Sequence, residues 1–270
     1  MLEIQRVSKT FHAGTVNEVR SLRDVNLSID EGSFVVVIGT NGSGKSTLLN
    51  AVAGTFFVDT GSICLAGTDL TSWPEHRRAA LIGRVFQNPF SGTAPNLTVA
   101  ENLALAERRG LRRGIGRLLP GGARERIQAG IKELGMGLEG RLDNAIGSLS
   151  GGQRQALTLL MATTLRPQLL LLDEHTAALD PRSADQIVRI TDRIIARDGL
   201  TAMMVTHSMQ QAVTYGDRLV MMHRGQVVLD LRGAEKRRLR PEDLLQRFED
   251  LRRSDLVDPA VADMLRRRYV

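Results

Sequence analysis

The 270-residue chain reads as an α/β fold with a mixed sheet core, an N-terminal antiparallel β subdomain and an inserted helical subdomain. Three observations predict it. A glycine-rich loop, Gly39-Thr40-Asn41-Gly42-Ser43-Gly44-Lys45-Ser46-Thr47, lies between an apolar run at 34–38 and a helix-like stretch at 47–53. Two later apolar runs, 169–172 and 202–205, also stop at polar side chains, the pattern of parallel strands covered on both faces. Between the loop and those runs, from about residue 88 to 166, the apolar spacing is mainly helical.

Leu2-Glu3-Ile4-Gln5-Arg6-Val7 alternates, as does Val25-Asn26-Leu27-Ser28-Ile29 before the turn Asp30-Glu31-Gly32, so these read as antiparallel strands. Phe11 lies between them, in Ser8-Lys9-Thr10-Phe11. The run 34–38 is a buried parallel strand, and 62–66 and 81–86 are shorter strands. Helical spacing then appears at Val99, Leu103 and Leu105, at Ile127, Ile131 and Leu134, and over 156–165, with glycine-bounded loops at 110–122 and 135–140. Leu149-Ser150-Gly151-Gly152-Gln153 opens the helix 154–165, and Arg166-Pro167 closes it. Segments 218–222 and 226–230 are terminal strands about Arg224-Gly225. In the tail, Pro241, Glu242 and Asp243 make a favourable first turn, with Leu244, Leu245, Phe248 and Leu251 as one stripe packed on the domain. A second helix is expected from Asp258-Pro259, with Val261, Ala262 and Leu265 inward.

Composition sets outer limits. Hydrophobic residues are 42% and charged residues 24%, ordinary for a soluble globular protein and against wholesale disorder. No apolar run approaches the ~18 residues needed to span a bilayer, so a membrane role is expected to run through a partner. One cysteine, Cys64, excludes an internal disulfide and suits a reducing compartment; buried packing is its expected role. The formal charge is +6, with arginine concentrated at 108–117 and in the last forty or so residues. Those clusters read first as solvated faces, with nucleic acid or anionic headgroups as the alternatives.

The glycine loop fits the phosphate-cradling pattern G-x-x-x-x-G-K-[ST]. Its backbone N–H groups and the following helix start favour an anion, Lys45 adds charge for outer phosphates, and Ser46 is placed to ligate the Mg²⁺ of a nucleoside triphosphate. Asp173 and Glu174 end an apolar strand, where ligands of parallel sheets bind, and read as the carboxylates of that Mg²⁺ site. His207 stands at a third strand end.

Together, Gly39–Thr47, Gln87, Leu149–Gln153, Asp173-Glu174 and His207 resemble the landmarks of the ATPase subunit of ATP-binding cassette (ABC) transporters, in family order, over residues 1 to about 230. The resemblance implies a P-loop NTPase of the ABC type over 1–240, with its helical subdomain at about 88–166, and a short helical extension over 241–270. It implies ATP and Mg²⁺ as ligands and a homodimer in which each ATP lies between one phosphate loop and the partner's Ser150, Gly151, Gly152 and Gln153. Phe11 then stacks on adenine, Asp173 and Ser46 hold Mg²⁺, Gln87 senses metal and attacking water, Glu174 is the general base, Lys45 and His207 face the γ-phosphate, and Asp180 links the two sites.

The likeness further implies a separate membrane permease, docked near 88–102, a substrate-binding protein acting indirectly, and a peripheral location at the cytoplasmic face of the inner membrane. His175 departs from the family, where proline usually follows the two carboxylates; it is expected to hydrogen-bond within its turn. With 145–155 and the arginine-rich 108–117, it resembles bacterial uptake systems for small, amino-acid-like molecules. An exporter ATPase is the alternative, and a nucleic-acid-associated ABC ATPase a lesser one; no direct nucleic-acid contact is expected. The tail is too short for the added sensor domain that some sugar importers carry.

Overall fold

Alternating side chains set the first two strands, β1 (Leu2–Phe11) and β2 (Val19–Ile29), which pair antiparallel with Leu2 opposite Ile29 and Phe11 opposite Val19. The computed structural model describes residues 1–111, 118–119 and 121–256. After β3 (Phe34–Gly39) and α1 (Lys45–Ala53), the chain returns as β4 (Thr60–Leu65) and β5 (Thr68–Asp69), giving a four-stranded sheet ordered β2-β1-β4-β5. Then follow α2 (Glu75–Arg78), β6 (Ile82–Val85), α3 (Val99–Ala106), α4 (Ala123–Leu134) and α5 (Gly151–Thr163). The last third holds β7 (Leu169–Asp173), α6 (Pro181–Asp198), β8 (Ala202–Val205), α7 (Met209–Thr214), β9 (Arg218–His223), β10 (Gln226–Arg232), α8 (Gly233–Arg237) and α9 (Pro241–Leu256).

The second sheet is ordered β10-β9-β3-β8-β7-β6; all but β10 run parallel, and β10 closes one edge antiparallel to β9. Its side chains divide with period two between two cores. Phe34, Val36 and Ile38 of β3, with Leu170 and Leu172 of β7 and Met204 of β8, pack against α3–α6. Val35, Val37, Leu169, Leu171, Met203 and Val205 face the other way, onto α1 and the antiparallel sheet. Burial on both faces explains why these strands are unbroken apolar runs.

The expected strands all form, the first two longer than the alternation suggested. Several finer expectations are corrected. The α5 helix begins at Gly151, because Ser150 caps it, and ends at Thr163. Helix α6 had a readable start in Asp180-Pro181 and buries Ile187, Val188, Ile190, Thr191, Ile194 and Ile195 at helical spacing, yet only its cap was singled out. Leu105 and Leu245 point outward, 45% and 51% exposed, while Val99, Leu103, Leu244 and Phe248 are buried as expected. Cys64 is half-buried, because Ile63 and Leu65 take the core face of β4 and Cys64 takes the opposite one. Arg109 is not part of a solvated face: its guanidinium donates to the Ala162 carbonyl near the end of α5. Arg112, Arg113, Arg117 and the second tail helix lie outside the described residues. No described helix is long and apolar enough to cross a membrane.

Arg78, 1% exposed, ties α1 to the segment after β5. Its guanidinium donates to the carbonyls of Ala51 and Val52 at 2.8 and 2.9 Å, in the last turn of α1, and to those of Trp73 and Thr71. The last carbonyls of a helix have no partner of their own and carry the negative end of its dipole, so a buried cation there satisfies both. Replacing Arg78 by Met should lower stability by about 3 kcal/mol, read as a lower urea midpoint at unchanged slope. A loss under about 1 kcal/mol would show that water replaces the guanidinium.

Candidate nucleotide site

Because the inner strands are parallel, their C-terminal ends lie along one edge of the sheet, and the loops there come from distant parts of the sequence. Gly39–Ser46 follows β3, Gln87 follows β6, Asp173 and Glu174 end β7, and Thr206-His207 follows β8. The loop after β3 admits only glycine at two points. A Cβ at Gly39 would strike the Met222 carbonyl and Ser43 Oγ, and Gly44, with φ of 99°, brings its backbone against the Ser21 carbonyl.

No side chain caps α1 behind this loop, whereas α3, α5 and α6 are capped by Thr98, Ser150 and Asp180. The first N–H groups of α1 therefore remain available to an anion. Ser43 Oγ is buried and has no protein partner, a second polar group left over at the same place. Lys45 is 5% exposed and donates to the Gly39 and Thr40 carbonyls at 2.9 and 3.1 Å. Burial pushes its ammonium below the ordinary lysine value, while Glu174 and Asp173 pull the other way.

Ser46 Oγ lies 3.4 Å from Asp173 Oδ1. Burial raises the Asp173 carboxyl above its ordinary value, opposed by the Arg84 guanidinium and reinforced by Glu174. Among the described residues no three His, Cys, Asp or Glu side chains gather as a metal cage. A hydroxyl beside one carboxylate nevertheless suits Mg²⁺, which keeps several waters and takes few protein ligands plus phosphate oxygens.

Glu174 sits in the left-handed region at φ 44°, a strained position for a side chain with a Cβ. Its N–H donates to the Val205 carbonyl, which fixes the turn to β8. One carboxylate oxygen lies 2.6 Å from His207 Nε2 and the other 3.4 Å from Gln87 Nε2. A carboxylate only accepts, so His207 donates through Nε2.

The sheet edge thus brings Lys45, Ser46, Gln87, Asp173, Glu174 and His207 together. The expected residues outside the glycine loop are placed by other elements. Ser150 and Gln153 form a capping box, N–H to side chain in both directions, at the start of α5. Gly151 and Gly152 there adjoin Leu179 and Ser183 of the same chain. Asp180 accepts from the Ser183 N–H as the cap of α6. Phe11 packs edge-on to Phe56, ring centroids 5.2 Å apart, with Lys9 Nζ 5.6 Å from each ring. A cleft of about 540 Å³ is bounded by Gly39, Thr40, Asn41, His207, Leu245, Phe248 and Glu249, so α9 flanks the phosphate loop.

One placement departs from expectation, and one residue carried none. His175 is buried and bonds across to α6, not within its turn: its Nε2 lies 3.1 Å from Thr191 Oγ1. The Thr191 hydroxyl donates to the Ile187 carbonyl, so the imidazole donates to Thr191. Arg84 was not singled out at all, although a charge inside the otherwise apolar run 81–86 was a readable signal.

The chain is similar to several known proteins. A family model described as "ABC transporter" matches residues 22–177. A tyrosine transport ATP-binding protein of Clostridioides difficile is 40% identical over 249 residues, 92% of this chain and 99% of that protein. The lipoprotein-releasing system ATP-binding protein LolD of Ruegeria pomeroyi is 35% identical over 231 residues, 84% of this chain and 96% of that protein. Among solved structures, the dimeric cassette MJ0796 in a post-hydrolysis state bound to ADP and Pi superposes with a TM-score of 0.74 at 28% identity, covering 86% of this chain and 98% of that one.

Burial lowers the His175 pKa to about 4. In the unfolded chain a histidine titrates near ~6.5, so the unfolded state binds the extra proton first. Stability from this residue is complete above that value and lost as pH falls toward 4. Acidification from pH 7 to pH 5 should cost about 2 kcal/mol more in the native chain than in His175→Gln, measured by urea denaturation at both pH values. Equal losses would place the imidazole in a wetter site.

Proposed function

The chain belongs to the ABC transporter family, and on that premise we propose that it is the ATP-hydrolysing subunit that powers a separate membrane permease, with import of a small, amino-acid-like molecule as its task. The observation that carries the catalytic part is the Glu174 carboxylate, held between His207 and Gln87 and next in sequence to Asp173, beside an uncapped helix start.

Lys45 exchanges the Gly39 and Thr40 carbonyls for the outer phosphates of ATP, and the N–H groups of the loop hold the rest of the triphosphate. Ser46 and Asp173 hold Mg²⁺, which supplies charge neutralisation of the phosphates when bound. Glu174 accepts a proton from the attacking water as its oxygen bonds to the γ-phosphorus and the bond to the ADP oxygen breaks. His207 passes from Glu174 to the γ-phosphate, and Gln87 orients the water. Phe11 supplies the stacking face for the adenine.

Two copies complete the site. At the start of α5 the Ser150 cap uses the hydroxyl oxygen as acceptor, leaving its O–H free to donate. In a head-to-tail pair Ser150–Gln153 of one copy meets the γ-phosphate on the other, and Asp180, near Gly152 through Ser183, joins the two sites. The nucleotide-binding unit spans 1–240, with helices of about 88–166 as its inserted part and 241–270 as an extension.

The permease is received at a mostly apolar groove of about 420 Å³ lined by Phe86, Gly92, Leu105, Arg109 and Met161. Phe90, 61% exposed, precedes Ser91 of its lining and lies under the Arg154 guanidinium. Asn102, by contrast, is buried and binds Ala94, Leu97 and Thr98, so the receiving segment is narrower than 88–102. Docking there places the chain peripherally at the cytoplasmic face of the inner membrane, with a substrate-binding protein as an indirect partner. The 40% identity across nearly the whole of a tyrosine transport subunit supports an aromatic or related amino acid as cargo. The LolD likeness supports export as the second reading, distinguished by the direction of flux in proteoliposomes.

Glu174→Gln should lower steady-state ATP hydrolysis of the permease-bound chain at least about 100-fold while nucleotide still binds, measured by phosphate release and equilibrium binding. Unchanged hydrolysis would remove Glu174 as the base.

A further inference from the structure

Arg84 sits on β6 two residues after Ile82, at a position where the alternation points into the core shared by α1 and the antiparallel sheet. A charge there is expensive unless it is answered: four polar side chains face its two terminal nitrogens, while Nε is buried without a partner. One guanidinium nitrogen donates to Thr55 Oγ1 at 3.0 Å and Glu75 Oε1 at 3.3 Å. The other donates to Asn50 Oδ1 on α1 and lies 3.9 Å from Asp173 Oδ2. The guanidinium plane lies over the Phe86 ring, 4.5 Å from its centroid. Asp173 therefore has its two oxygens committed in different directions: Oδ2 to Arg84, Oδ1 to Ser46.

We propose that Arg84 is a positioning residue that holds the Asp173 carboxylate turned toward Ser46 for the metal, and that ties this carboxylate to the groove in which Glu75 and Phe86 lie. Glu75, Arg84 and Phe86 all line that groove, so anything seated in it presses on two partners of the guanidinium that also faces Asp173. An ammonium could not do this, since only a planar fork reaches Thr55, Glu75, Asn50 and Asp173 at once. The proposal rests on the reading of Asp173 as a metal ligand.

The test is the affinity of the full chain for a fluorescent ATP analogue, measured in EDTA and then in Mg²⁺, for the native protein, Arg84→Gln, Arg84→Lys, Asp173→Asn and the Arg84→Gln/Asp173→Asn double variant. Arg84→Gln is expected to match the native chain without metal and to lose about tenfold of the tightening that Mg²⁺ brings, the size typical of a lost outer ligand contact. Arg84→Lys should restore little of it, and Arg84→Gln should have no further effect once Asp173 is Asn. Native-like tightening in Arg84→Gln, full rescue by lysine, or equal losses with and without metal would overturn the proposal alone. A native chain that binds the analogue with no response to Mg²⁺ would overturn the metal reading of Asp173 and the proposal with it.

Discussion

A parallel sheet buried on both faces is the constraint from which the rest follows. Each inner strand must be apolar at consecutive positions, because odd and even residues enter different cores, and Val35 and Val36 illustrate the division. No polar chemistry can be carried within such strands without expense. It is displaced to their ends, and parallel direction puts the useful ends along one edge. Distant parts of the chain, from Gly39 to His207, meet there for that reason.

The charged groups of the edge are also satisfied within the chain. Lys45 rests on the carbonyls of its own loop, and His207 rests on Glu174, so the charged groups of the site have internal partners. These partners are exchangeable ones: carbonyl oxygens and a single carboxylate contact give way to phosphate oxygens without any change of fold. Arg84 differs, because its partners come from several directions and none is a ligand group that must be surrendered.

How much was legible follows from the same physics. The glycine loop, the apolar strands and the carboxylates at a strand end were readable because each obeys a local rule of spacing or conformation. The fold class and family order followed from them. Helix α6 was missed though its amphipathic spacing and Asp180-Pro181 start were present, an oversight and not a silence of the sequence. Other features were not local. That His175 would reach Thr191, that Leu245 would face outward while Phe248 packs, and that Arg84 would stand against Asp173 depend on which elements become neighbours. Spacing along one helix or strand carries no record of that.

The position of α9 gives one helix two tasks. Its inward residues Leu244 and Phe248 belong to the main core, while Leu245 and Glu249 form a wall of the cleft beside Thr40 and Asn41. One turn of helix thus serves as both a foundation stone and a doorpost. A substitution in this turn therefore meets two unrelated physical demands at once, one from the core and one from a loop about two hundred positions earlier.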